Sequence, residues 1–342
     1  MASSAAATKI ALVSLSALAA AALRSCAPLP PRRSPPANAS DLRPDDVGLV
    51  LALGDSVTAG FGMEGDIVEY RGRSFSAGGD PGAITMPNLM RELAGNARLA
   101  GFSLGDRPGV HTSDAGCQGR DVEVCRLNAA VDGANMRRVL RQVAYLDGAL
   151  LPGERREWKV VTLFAGLADV VFSDGSGSTP PSLFRAQFRE LLRAVASRLG
   201  GRVYLNVLAL PQRLQRLSTM LRTRLGCRLL FELSHLPLSP VRWNAAAGWA
   251  LTAAEYNRVL EEEVSAFQRE NRAPDFRVEM HRFMRDAELS DELLEHLDCL
   301  HPNAVLARNM SVALWNSMLG AHQTTIFFAA EPLCPSEGSR LR

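Results

Sequence analysis

The sequence of 342 residues contains no Cys-x-x-Cys pair, and its six histidines are scattered, which removes the usual patterns of a zinc site. No sign of charge dominates. The 38 Lys and Arg stand against 36 Asp and Glu, a formal net charge of +2, and the basic residues are interspersed with acidic ones, so nucleic acid is not an expected partner. Aromatic residues make up only 6% of the chain, and no apolar run reaches the roughly 20 residues that span a bilayer. There is no internal repeat and no shift of composition that would mark a second domain.

What is present begins with a short apolar segment, 10–23 (IALVSLSALAAAAL), preceded by Lys9 and followed by small residues. This reads as a secretory signal peptide over 1–25, with an N-terminal membrane anchor as the weaker alternative, and it predicts a secreted or lumenal protein. Residues 26–46 are rich in Pro, Arg, Ser and Asp with almost nothing to bury, and read as a flexible linker. With Cys26 at the edge of the leader, five cysteines remain (Cys117, Cys125, Cys227, Cys299 and Cys334), an odd number that leaves a thiol free; Cys117 and Cys125 bracket a polar loop short enough to close. Of two glycosylation sequons, Asn38-Ala39-Ser40 lies in the linker and is the expected acceptor, whereas Asn309-Met310-Ser311 falls in an expected helix.

From residue 47 to 325, strand-length apolar runs alternate with helical patterns. Strands are expected at 47–55, 126–131, 158–166, 202–210 and 275–281, and amphipathic helices at 134–151, 182–200 and 253–271. In the second helix Leu183, Phe184, Phe188, Leu191, Leu192 and Val195 share one face. Runs without polar alternation are buried on both sides, so the fold class is α/β, a mostly parallel five-stranded sheet with helices on both faces. Residues 326–342 read as a tail.

Reacting groups of an open parallel sheet gather at the carboxyl ends of its strands. The first expected strand runs into Gly54-Asp55-Ser56, which would expose the Ser56 hydroxyl above the sheet; alone, such a serine serves equally as a helix cap. A serine needs a base to act as a nucleophile. Among His111, His235, His281, His296, His301 and His322, only His301 follows an acid, Asp298, by three residues on a loop before a final helix. There Asp298 can hold the tautomer while the other ring nitrogen faces Ser56.

These two motifs resemble those of the GDSL, or SGNH, hydrolase superfamily. GDSVTAGFG, RGRSFSAGGD, TMPNLMREL, GFSLG, LNAAVDGAN, WKVVTLFAGLAD and DCLHPN follow in order the layout of its phospholipase B-like branch over nearly all of 47–320. The resemblance implies the flavodoxin-like three-layer sandwich of that superfamily. It also implies Ser56 as nucleophile, Asp298 and His301 as its acid and base, and an oxyanion hole built from the Ser56 and Gly133 backbone N–H groups. The family's third donor is an Asn, and here Ala168 stands in its place, beside Asp169, a support for the loop. The implied activity is hydrolysis of lipid acyl esters, of phospholipase A/B or lysophospholipase type, weakened by Ala168. It needs no metal or cofactor and is compatible with peripheral contact with a membrane. The alternatives are a carbohydrate or small-molecule O-acetyl esterase and a lipid-binding protein of the same fold. Segment 84–93 could line an acyl channel or be core; Arg71 and Arg73 could meet a phosphate or be solvated.

Overall fold

A computed structural model describes residues 26–109, 122–171, 179–229, 248–322, 324–325 and 330–342. The main sheet is parallel, with strand order β1 (Leu49–Gly54), β4 (Lys159–Phe164), β5 (Val203–Leu208) and β6 (Phe276–His281). Its register runs Leu49 beside Lys159, Lys159 beside Val203 and Val203 beside Phe276. The first three strands are buried at every position, as their largely apolar sequences without polar alternation require, while β6 is half-exposed as an edge strand. A two-residue ladder, β2 (Val68–Glu69) with β3 (Arg107–Pro108), lies outside this sheet.

The sheet has four strands, not the five expected. Segment 126–131 does lie along the free edge of β1, where the Ala52 and Ala129 N–H groups donate to Leu127 O and Ala52 O. It forms a single bridge with β1, Ala52 to Asn128, and beyond it the Val131 N–H donates to Gly54 O at 3.3 Å. Arg126 enters with φ 49° and the Asn128 N–H turns back to Cys125 O, so the backbone is extended too briefly to build a ladder.

Helices α4 (Met136–Ala149), α6 (Pro181–Arg198) and α8 (Trp249–Glu270) pack side by side; α2 (Met86–Leu93) packs against α9 (Ala304–Met318). Short helices α1 (Ser56–Ala59), α3 (Val122–Cys125) and α5 (Leu167–Val171), and the nine-residue α7 (Gln215–Thr223), connect the layers. In α6 the buried stripe is Phe184, Phe188, Leu191, Leu192 and Val195, whereas Leu183 points to solvent. Met86, Leu89, Met90 and Leu93 of α2 are core.

Residues 26–46 are not a free linker. Two 3-10 turns, Ala39–Asp41 and Pro44–Asp46, swing Leu42 into complete burial, and the Ala39 N–H donates to Pro274 O. Nor is the C-terminus loose: Leu341 is fully buried, its N–H donates to Leu42 O, and Arg340 pairs with Asp41. Cys26 bonds to Cys334 and Cys227 to Cys299, and among the described residues no cysteine is free, which corrects the expected odd thiol. Cys125 is also disulfide-bonded; Cys117 lies outside the described residues.

Candidate active site

Strand β1 delivers the chain to the site through Gly54, where a Cβ would come within 2.5 Å of Phe164 O and 2.3 Å of Thr58 Oγ1, so only glycine fits. The Gly54 peptide groups are clamped by Gln142: its Oε1 accepts the Gly54 N–H at 2.9 Å and its Nε2 donates to Gly54 O at 2.8 Å. Asp55 then caps α1, its carboxylate accepting the Val57 N–H at 3.1 Å, and burial pushes that carboxyl up to about 7 against the pull of this hydrogen bond. Ser56 is the first residue of α1.

The structure brings Ser56, His301 and Asp298 together. His301 Nε2 lies 2.7 Å from Ser56 Oγ, and Nδ1 lies 2.6 Å from Asp298 Oδ2. The second carboxylate oxygen accepts the Leu300 and His301 N–H groups at 2.8 and 2.9 Å, which leaves the acid no freedom to turn away. With the imidazole neutral, Nδ1–H donates to Asp298 and the Ser56 hydroxyl donates to Nε2. All three residues are buried at 7–8% exposure, and the Phe61 ring rests against the imidazole at 4.8 Å. Burial works against charging His301, but the Asp298 carboxylate prevails and raises its pKa to about 9. Asp298 in turn is held below the usual carboxylate range: burial opposes this, and the His301 contact outweighs it.

A base works only when deprotonated. The rate at which a fluorophosphonate modifies Ser56 should therefore fall as pH drops through the His301 pKa, with its acid limb well above 6.5 and towards 9. Labelling rates from pH 5 to 10 check this; a limb at or below 6.5 would contradict it.

Gly133 and Ala168 meet at the same cleft, whose walls with Ser56 and His301 are Val57, Leu167, Val171 and Leu300. Gly133 has φ 64°, a turn that directs the chain from segment 126–131 into α4. Asp169 lies behind the cleft: it accepts the Met136 N–H at 2.8 Å and the Thr179 hydroxyl at 2.9 Å, tying α5 to the start of α4. Burial raises its carboxyl to about 6, these two donors opposing.

Arg71 is neither solvated nor open to a phosphate. It is 1% exposed and donates to Glu69 at 2.8 Å, Asn128 O at 3.0 Å and Ala130 O at 2.8 Å, fixing the segment that leads to Gly133. Arg73 pairs with Glu64 and covers the Tyr70 ring. Segment 84–93 does not line the cleft. His281 forms a second serine–histidine contact, with Ser317 Oγ at 2.8 Å and Asn206 Oδ1 at 2.7 Å, but all three are buried in the core and burial pulls its pKa to about 3. His111 and His235 lie outside the described residues; His296 and His322 are exposed.

Sequence reasoning missed Gln142 and Asn128, which donates through Nδ2 to Thr58 O at 3.0 Å. Gln142 carried one signal, as the polar member of the otherwise apolar stripe Met136, Val139, Val143 and Leu146.

The model of the GDSL-like lipase/acylhydrolase family matches residues 50–314. Over 160 residues the chain is 39% identical to the membrane-associated phospholipase B1 of Rattus norvegicus, covering 43% of this chain and 10% of that protein. Over 344 residues it is 30% identical to the membrane-associated phospholipase B1 of Homo sapiens, covering 88% of this chain and 22% of that protein. The chain therefore spans only 10% to 22% of the length of these relatives.

Proposed function

The chain belongs to the GDSL-like lipase/acylhydrolase family, and from that premise we propose that it hydrolyses lipid acyl esters, as a phospholipase A/B or lysophospholipase, through an acyl-enzyme on Ser56. The observation that carries this reading is the unbroken chain Ser56 Oγ, His301 Nε2, His301 Nδ1, Asp298 Oδ2, built from residues 245 positions apart. Ser56 Oγ attacks the ester carbonyl carbon as Nε2 takes its proton, and the Ser56 and Gly133 N–H groups face the developing oxyanion. His301 then returns the proton to the leaving alcohol. A water deprotonated by His301 attacks the acyl-Ser56 ester, His301 passes that proton to the departing Ser56 Oγ, and the acid leaves. The curated relatives, named as phospholipases B1, support the lipid substrate.

One observation favours a second reading, a small-ester hydrolase: the cleft at Ser56 holds only about 30 Å³, room for a reacting carbonyl or a methyl group but not an acyl chain. Fluorophosphonate labelling mapped to Ser56, with product analysis on phosphatidylcholine, lysophosphatidylcholine and an acetylated sugar, separates the two. Fatty acid release from the phospholipids supports the first; acetate release alone supports the second.

Ala168 supplies no side-chain donor to the oxyanion. Ala168→Asn should raise kcat more than it changes KM, by up to about 100- to 1000-fold, since the new N–H bonds most strongly in the transition state. Kinetics on one soluble ester, with melting temperatures as control, measure this. An unchanged kcat in a folded variant would show that the hole lacks nothing. Failure of both proteins to label with fluorophosphonate would favour a binding role.

The disulfides support a lumenal or extracellular location. Among the described residues no helix is long and apolar enough to cross a membrane. Expressed through a eukaryotic secretory pathway, the protein should carry a glycan at Asn38, which is half-buried beside the exposed Ser40, and none at Asn309, which is 5% exposed within α9. The glycosidase-sensitive mass should vanish in Asn38→Gln; its persistence would refute the assignment.

A further inference from the structure

Asp298 and His301 stand in the 22-residue connection between β6 and α9, a stretch without strand or helix of its own. Its hydrogen bonds close mostly on itself: Glu295 N–H to His301 O at 2.9 Å, Cys299 N–H to Glu295 O at 2.9 Å and Asn303 N–H to Leu293 O at 3.0 Å. These shape the loop but do not fix it to the body. Ties to the segment after β5 do so. The Gln212 N–H donates to Arg285 O at 2.9 Å near the start of the connection. Closer to the site, Arg216 of α7 and Arg224 just past it pair with Asp291, exposed contacts that water and salt weaken. The covalent tie is Cys227 to Cys299.

The covalent tie falls between acid and base. Cys299 is one of three non-glycine residues with positive φ among the described residues, at 55°, a conformation that L side chains rarely adopt. That left-handed turn folds the chain back so that one Asp298 oxygen reaches both the Leu300 and His301 N–H groups while the other meets Nδ1. Resting on the hydrolase reading above, we propose that the Cys227–Cys299 disulfide is a positioning element for the Asp298–His301 pair, holding the left-handed turn on which their geometry depends. Cys227 is thus a positioning residue more than 70 positions from the acid it serves, on a segment that sequence motifs do not mark.

The test compares the full chain with Cys227→Ala/Cys299→Ala and, as a control for the general effect of losing a cross-link, Cys26→Ala/Cys334→Ala. Non-reducing peptide mapping of the wild type should recover Cys227 joined to Cys299. Removing this bond should slow fluorophosphonate labelling of Ser56 by about tenfold or more, the scale on which small misplacements act, and move the acid limb down towards 6.5 as Asp298 loosens its hold on His301. Cys227→Ala/Cys299→Asn should recover part of the rate, because asparagine tolerates the left-handed turn better than alanine. The control pair should melt earlier yet keep both the rate and the limb. Should the Ala variant not fold, dithiothreitol on the folded control variant gives a second comparison: each disulfide reduced yields two protein thiols as dithiothreitol is oxidised to its cyclic disulfide, peptide mapping follows loss of the Cys227–Cys299 bond separately from that of Cys125, and circular dichroism monitors the fold. A wild-type rate and limb after loss of the bond, or peptides showing these cysteines unjoined, would overturn the proposal. A wild type that does not label at Ser56 would instead overturn the hydrolase reading, and this inference with it.

Discussion

Ser56→Ala should lower ester hydrolysis by at least about 10⁴-fold while leaving the protein folded. Among the described residues the hydroxyl has one protein partner, His301, and alanine suits the first turn of α1, so the loss is of chemistry and not of packing. His301→Ala should do the same. Because the hydroxyl and imidazole act as a unit, the double variant should be little worse than either single one. Steady-state rates on a soluble ester, with melting temperatures in parallel, check both statements. Activity of wild-type size in Ser56→Ala would place the chemistry elsewhere.

Arg71→Met should cost about 3–5 kcal/mol of stability, a fall in melting temperature on the order of 10 °C. Its guanidinium is buried with Glu69, each 1% exposed, and also satisfies Asn128 O and Ala130 O. Methionine fills the volume but strands two carbonyls and leaves Glu69 only the longer contact to Arg107, at 3.4 Å. The same residue steadies the approach to Gly133, so kcat should fall as well. Arg73→Met is the control: its ion pair with Glu64 is largely exposed, and its loss should cost less than about 1 kcal/mol. Thermal and urea unfolding compare the two variants. Equal stabilities would show that the buried arginine contributes no more than the surface one.

The parts of this structure that short sequence patterns revealed share a local cause. β1, β4 and β5 are apolar runs, broken only by Lys159, Thr162 and Asn206, because both their faces are covered, and that requirement is written in consecutive residues. Ser56, Asp298 and His301 stood out because a strand-to-helix turn and an acid three residues before a histidine are also local patterns. What escaped depends on distant partners. Gln142 reads as a surface polar residue until Gly54 is placed opposite it, 88 positions earlier. Arg71 looks like a loop charge until Asn128 and Ala130 bring their carbonyls to it. The fifth strand failed because apolar content cannot distinguish a ladder from a single bridge cut short by a left-handed Arg126. Leu42 and Leu341 were passed over for a similar reason: each is an apolar residue in a polar stretch, and they meet, Leu341 N–H to Leu42 O, only once the chain is folded.

The bond between Cys26 and Cys334 has a mechanical consequence. It closes a ring across a sequence separation of 308, and confining the unfolded chain to so large a ring raises its free energy by about 5 kcal/mol on the chain-entropy account. It also brings residues 26 and 334 to one point. Tension applied through chain before Cys26 and after Arg342 would first peel away the Leu341 contact with Leu42 and then travel through that sulfur–sulfur bond, bypassing β1, β4, β5 and β6. The body would hang from a tether as a closed bead, and stretching the tether would leave Ser56 and His301 unloaded. Cutting the bond by reduction would put the sheet and its catalytic edge directly in the path of the force.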